Sequence, residues 1–250
     1  MADNFLYIDL ESVCSQQPGI KEQILSELKP PGNLKKAETI AKWWQSQAPS
    51  VAEEAYLKTA LDGTYGEIIS IAWAFGEQEV QGVIRTLEEP ETKVLKAFYD
   101  ALEGANTDYL VWVAYPIRFD LPFLLKRSII NNIRPPVGLP DERSKSTFCP
   151  MNWWHGWHQC GALDALCKAL GIQGKTGMTG ADVYPYVLQG RYDEILEYNK
   201  NDVSMLRQVH ERITFKNWAP SDNEEIALAS EEDEKLTKAG FFDVQEKGKL

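Results

Sequence analysis

The stretch Phe5-Leu-Tyr-Ile-Asp-Leu-Glu11 decides the fold, because it joins an apolar run to two acidic side chains. Its apolar part, Phe5 to Leu10, is partly aromatic and β-branched, which predicts a short buried strand. Asp9 and Glu11 are two residues apart, so the alternation of a strand turns both carboxylates to one face. Two adjacent like charges raise the pKa of at least one carboxyl unless a cation lies between them. The pair therefore predicts a divalent metal site at the end of this strand.

The chain beyond the first strand predicts a mixed sheet with flanking helices. Residues 67–75 and 80–85 are apolar runs joined by a tight turn that contains glycine, as in two antiparallel strands. Pro90 then opens an amphipathic helix that extends to about Leu102, since proline is favoured in the first helical turn. Residues 109–114 form the next predicted strand. These segments indicate the α/β class.

Three further helices are predicted in the second half of the chain. The first extends from Asp120 to Asn132, with Pro122 in its first turn, where the missing N–H costs nothing. The other two cover residues 161–170 and 192–213. The apolar face of the helix from Asp120 to Asn132 is expected to consist of Leu121, Leu124, Leu125 and Ile129.

Two segments stand apart from this pattern and set the expected domain organisation. Residues 17–61 carry Lys and Glu interleaved with apolar residues at helical spacing, which predicts about two helices inserted after the first strand. This insertion is a candidate lid, substrate-side wall or protein-partner surface. Residues 217–250 are rich in Ser, Glu, Asp and Lys, which is typical of a loosely ordered acidic tail. We therefore expect one domain over residues 1–216, followed by that tail.

The charge of the chain limits how it could hold a polyanion. Its formal net charge is -11, with 37 acidic and 26 basic residues among 250, which argues against binding through a broad basic surface. A nucleic acid would have to be held locally, by divalent cations that bridge carboxylates to phosphate or by a small basic patch. Four sparse cysteines indicate no disulfide framework, and no run has the length of a membrane span. The opening residues carry no secretory pattern, so a cytoplasmic location without membrane contact is expected.

Two more acidic positions fit a site shared with the first strand. Tyr198 and Asp202 are four residues apart in a helical stretch, so the phenol and the carboxylate project from one face. Asp120 stands at the start of its predicted helix, where a carboxylate suits the helix end. Each position alone is most often a solvated surface charge. The three spaced motifs in this order raise the odds for a catalytic site.

These motifs resemble those of a known family. Ile8-Asp-Leu-Glu11, Phe119-Asp-Leu-Pro-Phe-Leu124 and Tyr198-Asn-Lys-Asn-Asp-Val203 are similar to the three motifs of DEDDy-type 3′→5′ exonucleases. These enzymes belong to the DnaQ-like, RNase H-like superfamily, and the match is to the stand-alone relatives of the proofreading domain of family B DNA polymerases. Residues 161–171 also resemble the family's helix before the third motif. The resemblance covers residues 5 to about 213 without the insertion.

The resemblance implies a fold, a site and a reaction. The fold would be an RNase H-like, mixed five-stranded sheet flanked by helices. Two Mg²⁺ or Mn²⁺ ions would be held by Asp9, Glu11, Asp120 and Asp202, with Tyr198 orienting the attacking water. Contacts to substrate would come from Leu10, Ser12 and Phe123. The reaction would be stepwise removal of nucleotides from the 3′ end of a single-stranded nucleic acid, with DNA ahead of RNA.

One departure from the family leaves other functions open. The family usually has a Gly-His-Asn-like stretch before the second motif, where this chain has Val113-Ala-Tyr-Pro-Ile-Arg118. A first alternative is therefore a catalytically weak or inactive subunit that keeps the fold within a replication, repair or defence complex. A second is a two-metal phosphoesterase acting on a small nucleotide.

The remaining chemically suggestive residues fit ordinary structural roles. The spacing of Cys149, His155, His158 and Cys160 fits no standard zinc finger, and the tryptophan-rich segment 152–157 is more typical of a packed loop or a base-stacking wall, so no zinc is predicted. The glycines of the loop 171–180 lack the strand-to-helix context of a phosphate cradle. Ordinary surface charge and phosphate binding are equally plausible for Lys35, Lys36, Lys126, Arg127, Arg134 and Lys175.

Overall fold

The computed structural model describes residues 4–216, apart from Asn106, Asp108, His158 and Thr176. The chain divides into two units, residues 1–213 and 214–250. The acidic tail proposed for residues 217–250 lies outside the described residues, as does His158 of the zinc candidate, and the domain boundary at residue 216 stays a prediction.

The described residues form five strands and nine α-helices. The strands are β1 (Phe5–Val13), β2 (Glu67–Phe75), β3 (Gln81–Ile84), β4 (Val111–Val113) and β5 (Thr147–Phe148). The helices are α1 (Ile20–Glu27), α2 (Ala37–Ser46), α3 (Ala48–Lys58), α4 (Thr92–Glu103), α5 (Ile117–Ile130), α6 (Pro150–His155), α7 (Leu163–Ala169), α8 (Val183–Leu188) and α9 (Tyr192–Ile213). Short 3-10 helices cover Thr59–Leu61 and Gly180–Asp182. No helix among the described residues combines the length and the apolar character that a membrane crossing requires.

The strands form one mixed sheet in the order β3-β2-β1-β4-β5. β1 pairs with β2, and β2 with β3, in antiparallel register, whereas β1, β4 and β5 run parallel. β1 is therefore the central strand, bordered by one neighbour of each direction. The predicted α/β class with a mixed five-stranded sheet and flanking helices is confirmed.

Small residues on one face of the sheet let the long helix α9 approach closely. Ala72 of β2 lies opposite Asp9 in the strand register and pairs with Gly82 on its other side. A Cβ atom at Gly82 would lie 2.9 Å from the Cδ1 atom of Leu196 of α9, so a larger residue there would require that side chain to move. The acidic face of β1 and the helix that carries the third motif are thus held together.

The opposite face of the sheet packs on α4. Phe98 of this helix lies edge-on to Trp73, with ring centroids 5.4 Å apart, and also contacts Trp112. Ile8 and Leu10 of β1 are buried in the same cluster, on the face away from Asp9 and Glu11. The alternation expected from the sequence of β1 therefore separates its apolar side chains from its acidic ones.

A buried ion pair fixes α5 against the sheet. Arg127 donates to both carboxylate oxygens of Glu91, at 2.6 to 3.0 Å, and Glu91 also accepts from the backbone N–H of Ile68 in β2 at 2.6 Å. Asn131 donates to the same carboxylate at 2.6 Å. Because a buried charge is tolerated only when it is paired and hydrogen-bonded, these contacts set the position of the helix that carries Asp120.

The start and the inward face of α5 differ from the prediction. The helix begins at Ile117, three residues before Asp120, so Pro122 lies inside the helix and not at its start. Leu125 and Ile129, expected on the apolar face, are 43% and 70% exposed. The inward positions are taken instead by polar residues: Arg127 binds Glu91, and the hydroxyl of Ser128 contacts that of Tyr99 at 2.5 Å. Leu121 and Leu124 are buried as predicted, so the buried polar network replaces only the second half of the expected apolar face.

Several short elements were not anticipated from the sequence. The insertion contains three helices and a 3-10 turn where about two helices were expected. The fifth strand has two residues, and α6 and α8 have six each, so none of them is long enough to show a hydrophobic period. The predicted helix 161–170 is confirmed in the shorter form of α7.

Candidate active site

The acidic residues of the first and third motifs converge between β1 and α9. Asp9 and Glu11 face α9, and carboxylate oxygens of Asp9, Glu11 and Asp202 all lie within 4.8 Å of one another. Asp202 follows the two acids of β1 by about 190 positions in sequence, and the packing of α9 on the sheet brings it to them. An arrangement of three oxygen donors at this spacing suits a hard divalent cation.

Asp120 reaches the same region from the first turn of α5. Its Oδ1 accepts a hydrogen bond from the backbone N–H of Leu10, between the two acids of β1, at 3.2 Å. The side chain is only 2% exposed, and its negative charge helps to raise the pKa of both Asp9 and Glu11. Asp120 lies outside the tight group of three but acts electrostatically on it.

Burial and mutual repulsion favour the protonated form of all four acids. Burial raises the pKa of Glu11 to about 8 and that of Asp120 to about 7, with the charge of Asp202 adding to both effects. The pKa of Asp9 is raised well above its usual range, first by burial and then by Asp202. Burial also raises the pKa of Asp202. Without a cation, the charged form of this cluster is unfavourable.

Two oxygens in this cluster fit the coordination of a metal ion. Oδ2 of Asp120 and Oδ1 of Asp202 are buried and have no hydrogen-bond partner among the described residues. Buried polar atoms are nearly always satisfied, so an unpartnered carboxylate oxygen beside three other acids fits a role as a metal ligand. The donor set consists of oxygen atoms alone, which is the preference of Mg²⁺, Mn²⁺ and Ca²⁺.

Asn199 holds Asp9 in place and was not singled out from the sequence. Its Nδ2 donates to Oδ2 of Asp9 at 2.6 Å, and its Oδ1 accepts from the hydroxyl of Ser70 at 2.8 Å. The side chain is fully buried between β2 and α9. Such partners behind a metal-ligating carboxylate orient it. Its place directly after Tyr198 was the available signal, but an asparagine inside a helix is usually a surface residue.

Lys175 is a second residue whose part in the site was missed. Its Nζ lies 2.5 Å from Oδ2 of Asp202, donates to the hydroxyl of Tyr198 and lies 4.5 Å from the centroid of that ring. Its positive charge lowers the pKa of Asp9, Glu11 and Asp202. The glycine-containing loop 171–180 therefore places a positive charge in the acidic cluster.

Tyr198 keeps its proton at any ordinary pH. Burial raises the pKa of its phenol far above its usual value, and the nearby charges of Glu11 and Asp202 raise it further. The hydroxyl accepts from Lys175 and is hydrogen-bonded to Asp202. A phenol that stays protonated cannot act as a base near neutral pH, and the orienting role of Tyr198 stays a prediction.

Two of the acids, Asp9 and Asp202, line a cleft of about 670 Å³. Its walls include Asp9, Asp202, Tyr115, Pro116, Lys175 and the segments 161–164 and 177–180. Tyr115 and Pro116, within the stretch 113–118 that departs from the family pattern, thus line the cleft directly. The hydroxyl of Tyr115 donates to the backbone oxygen of Gly161 at 3.0 Å, and this hydrogen bond links the two segments of that wall.

The three predicted substrate contacts have different surroundings. Leu10 and Phe123 are 5% and 2% exposed, with Phe123 in the main core. The hydroxyl of Ser12 donates to the backbone oxygen of Ala60 at 2.7 Å and lies beside a second cavity under the insertion. Their role in substrate binding stays a prediction.

The raised pKa of Glu11 predicts an unusual stability profile for the cation-free protein. A carboxyl with a raised folded pKa stabilises the fold at pH below about 4.5, and this contribution is lost as pH rises through about 8. Glu11→Gln should therefore raise the melting temperature in chelator at pH 9 by roughly 5 °C and have little effect at pH 5. Thermal melts at both pH values measure this, with Glu22→Gln on exposed α1 as the matched control. A lower melting temperature for Glu11→Gln at pH 9 would contradict the prediction.

The chain is similar to known proteins in part of its sequence and in its fold. Residues 151–216 match a family described as a predicted 3′-5′ exonuclease related to the exonuclease domain of PolB. No curated protein gives a significant match. The fold is similar to that of the family B DNA polymerase from the hyperthermophilic archaeon Pyrobaculum calidifontis, with a TM-score of 0.54 and 14% identity. The aligned region covers 84% of this chain and 24% of the polymerase, so the chain spans about a quarter of the polymerase's length. The segment that carries Tyr198, Asn199 and Asp202 is thus similar in sequence to polymerase-type exonucleases, within a fold similar to that of such a polymerase.

Proposed function

We propose that this chain is a metal-dependent 3′→5′ exonuclease of the DEDDy type that shortens single-stranded DNA, with RNA as the alternative substrate. The observation that carries the proposal is the convergence of Asp9, Glu11, Asp120 and Asp202, with two of their buried oxygens unpartnered among the described residues. A cluster of this kind costs stability unless a ligand compensates its charge, which indicates a functional role. The match of residues 151–216 to polymerase-related exonucleases supports it.

The four acids would hold two divalent cations, Mg²⁺ or Mn²⁺. When bound, such ions supply a nucleophile at neutral pH and stabilise charge on the leaving oxygen of a phosphodiester. The protein's own residues give position: Asn199 orients Asp9, and the backbone N–H of Leu10 orients Asp120. Tyr198, protonated and hydrogen-bonded to Lys175, would orient the water from the side of α9.

The shape and charge of the cleft favour a strand end as substrate. An acidic chain cannot hold a long duplex through general attraction, so the phosphate next to the acids must supply much of the binding. Walls on both sides of the cleft, from Tyr115 and Pro116 to the loop 177–180, favour a single strand over a stacked duplex.

An end-labelled nuclease assay tests the proposal. The purified chain should shorten a 5′-labelled single-stranded oligonucleotide one nucleotide at a time in Mg²⁺ or Mn²⁺, but not in chelator. Parallel reactions with duplex DNA, RNA and 3′-labelled strands define the substrate and the polarity. Cleavage that releases the 5′ label first, or that continues in chelator, would overturn the assignment.

The same assay separates the proposal from its alternatives. The ion pair of Lys175 with Asp202 partly neutralises the cluster without any metal, which favours an inactive subunit that keeps the fold. Complete lack of hydrolysis, with no heat release on Mn²⁺ titration, would favour that subunit. Hydrolysis of mononucleotide esters without shortening of oligomers would favour a small-nucleotide phosphoesterase.

Tyr198→Phe should reduce turnover while leaving cation binding almost unchanged. The change removes only the hydroxyl, which contacts Lys175 and Asp202, and retains the ring that packs beside α8. We expect kcat to fall by roughly 10- to 100-fold, the scale of a lost orienting group. Calorimetric titration with Mn²⁺ should give affinities within about twofold of each other, since the phenol is no ligand in this assignment. An equal loss of affinity and turnover would show that Tyr198 acts on the cations.

A further inference from the structure

Three tryptophans in one short segment are left open to solvent. Trp153, Trp154 and Trp157 are 69%, 50% and 50% exposed, on α6 and the turn that follows it. The first two residues of α6, Pro150 and Met151, are buried and hold the helix against the domain. Large exposed aromatic surface is unusual on a soluble domain and marks a binding surface.

The tryptophan segment joins the wall of the acidic cleft. The imidazole of His155, at the end of α6, lies so close to Gly161 that a Cβ atom there would clash with it. Gly161 lines the cleft, and its oxygen is bound by Tyr115, which lines the cleft as well. The guanidinium of Arg118 donates to Sγ of Cys160 at 2.7 Å, which ties down the same segment. The segment that carries the exposed indoles is therefore attached directly to the wall of the cleft.

The charge around the tryptophans is opposite to that of the whole chain. Residues 143–163, which include the three tryptophans, contain two basic residues and no acidic residue, although the chain carries a net charge of -11. These basic residues are Arg143 and Lys145, whereas the nearby Lys168 and Lys175 are paired with Asp164 and Asp202. The guanidinium of Arg143 lies over the ring of Trp157, 5.5 Å from its centroid. A local basic strip with interleaved aromatic rings is the pattern of a surface for single-stranded nucleic acid.

Trp153 is pre-ordered by its neighbour. Its ring stacks on Phe148 with centroids 5.4 Å apart and an interplanar angle of 16°. Phe148 in turn contacts His210 of α9 edge-on at 4.5 Å. A ring held in this way loses little conformational freedom when a base stacks on it.

We infer that Trp153, Trp154 and Trp157 form a stacking surface for unpaired bases of the strand whose 3′ end occupies the acidic cleft. The inference rests on the proposed function for the direction of the strand. Stacking on indole is available to every base, so the surface would bind without sequence preference. A protein partner is the competing occupant, but the local excess of positive charge and the continuity with the acidic cleft favour a polyanion with exposed bases.

Binding of an oligothymidylate of about 12 nucleotides, within the usual range of about 4 to 16 nucleotides for a single-strand site, tests the inference. Affinities are measured by fluorescence anisotropy in the Asp9→Asn background, so that hydrolysis does not interfere. Trp154→Ala/Trp157→Ala should weaken binding by roughly 30-fold, whereas Trp44→Ala, an exposed indole on the insertion, should change it by less than about twofold. Trp154→Phe/Trp157→Phe should restore most of the affinity, which separates stacking from misfolding.

Two further substrates distinguish base stacking from phosphate binding and from damage to the acidic cleft. An abasic strand of the same length keeps the phosphates, so the alanine variant and its parent should bind it equally. Because none of the three tryptophans lines the cleft, a dinucleotide held at the acids should be hydrolysed equally with and without Trp154 and Trp157 when Asp9 is intact.

Each outcome decides between the inference and the proposed function. Unchanged affinity of the alanine variant for the oligothymidylate overturns the stacking surface and leaves a protein partner as its occupant. An equal loss on the abasic strand also overturns it. A loss confined to strands with bases supports the inference even if the wild-type chain hydrolyses nothing, in which case the proposed function alone fails.

Discussion

Asp9→Asn is expected to lower the rate of 3′-end hydrolysis by at least about 10³-fold, the scale seen when a central electrostatic group is removed from an active site. Asp9 lies on β1 next to α9, and Asn199 of that helix donates a hydrogen bond to its carboxylate. Asp9 also belongs to the three-residue cluster with Glu11 and Asp202. The amide has nearly the same shape but cannot supply a negative charge. Cation affinity should therefore fall together with turnover.

The contrast with Tyr198→Phe makes this result diagnostic. Single-turnover hydrolysis of an end-labelled strand measures the rate, and calorimetry with Mn²⁺ measures the affinity. Asp100→Asn, an exposed site on α4, is the matched control and should behave as wild type. If Asp9→Asn retained both activity and Mn²⁺ affinity, the acidic cluster would not be the catalytic site.

Asp9→Asn also separates a structural from a catalytic role for the cluster. Because burial raises the pKa of Asp9 well above its usual range, the charged carboxyl destabilises the cation-free fold. The inactive variant should therefore be at least as stable as wild type in chelator. Loss of activity with a gain in stability is the pattern of a site that sacrifices stability for function.

The fold class could be predicted because its decisive elements are long and regular. β1 and β2 each have nine residues, and α9 has 22, so their periods of two and 3.6 are visible in the sequence. The positions of Asp9 and Glu11 on one face, and of Tyr198 and Asp202 on one face, follow from those periods. That these faces meet could be expected only through the family resemblance.

The parts that could not be predicted depend on contacts between distant segments. Lys175 is one lysine in a glycine-rich loop, and nothing near it in sequence indicates an ion pair with Asp202, 27 residues away. Leu125 and Ile129 have the spacing of an apolar face, but Arg127 takes the inward position because Glu91 lies opposite. Partners of this kind are selected by the tertiary fold and not by local periodicity.

Lys175→Met should remove the positive charge that is paired with the acidic cluster. The ammonium of Lys175 is the positive charge in contact with Asp202, and it holds the hydroxyl of Tyr198. Methionine keeps most of the length and apolar contact of the side chain and removes its charge. Because Lys175 lowers the pKa of Asp9, Glu11 and Asp202, these values should rise further in the variant.

The cation-free variant should then be less stable at pH 8 than at pH 5 relative to wild type. Carboxyls with raised pKa values stabilise the fold when protonated, and this contribution is lost as pH rises. We expect a loss of about 2 kcal/mol at pH 8, less than for a fully buried pair because Lys175 is partly exposed, or roughly 4–8 °C in melting temperature. Lys168→Met, which breaks an exposed pair with Asp164, is the matched control.

Divalent cations should reverse this loss, because the ammonium of Lys175 and a bound cation neutralise the same acids. Calorimetry should show tighter Mn²⁺ binding to Lys175→Met than to wild type, and saturating Mn²⁺ should bring the two melting temperatures together. Turnover should still fall by roughly 10- to 100-fold, since Tyr198 loses the donor that orients it. Unchanged Mn²⁺ affinity together with unchanged stability at pH 8 would show that Lys175 is not the counter-ion of the cluster. Tighter cation binding with slower hydrolysis would instead show two roles for Lys175. Its ammonium would neutralise the acids before a metal binds, and it would position Tyr198 afterwards.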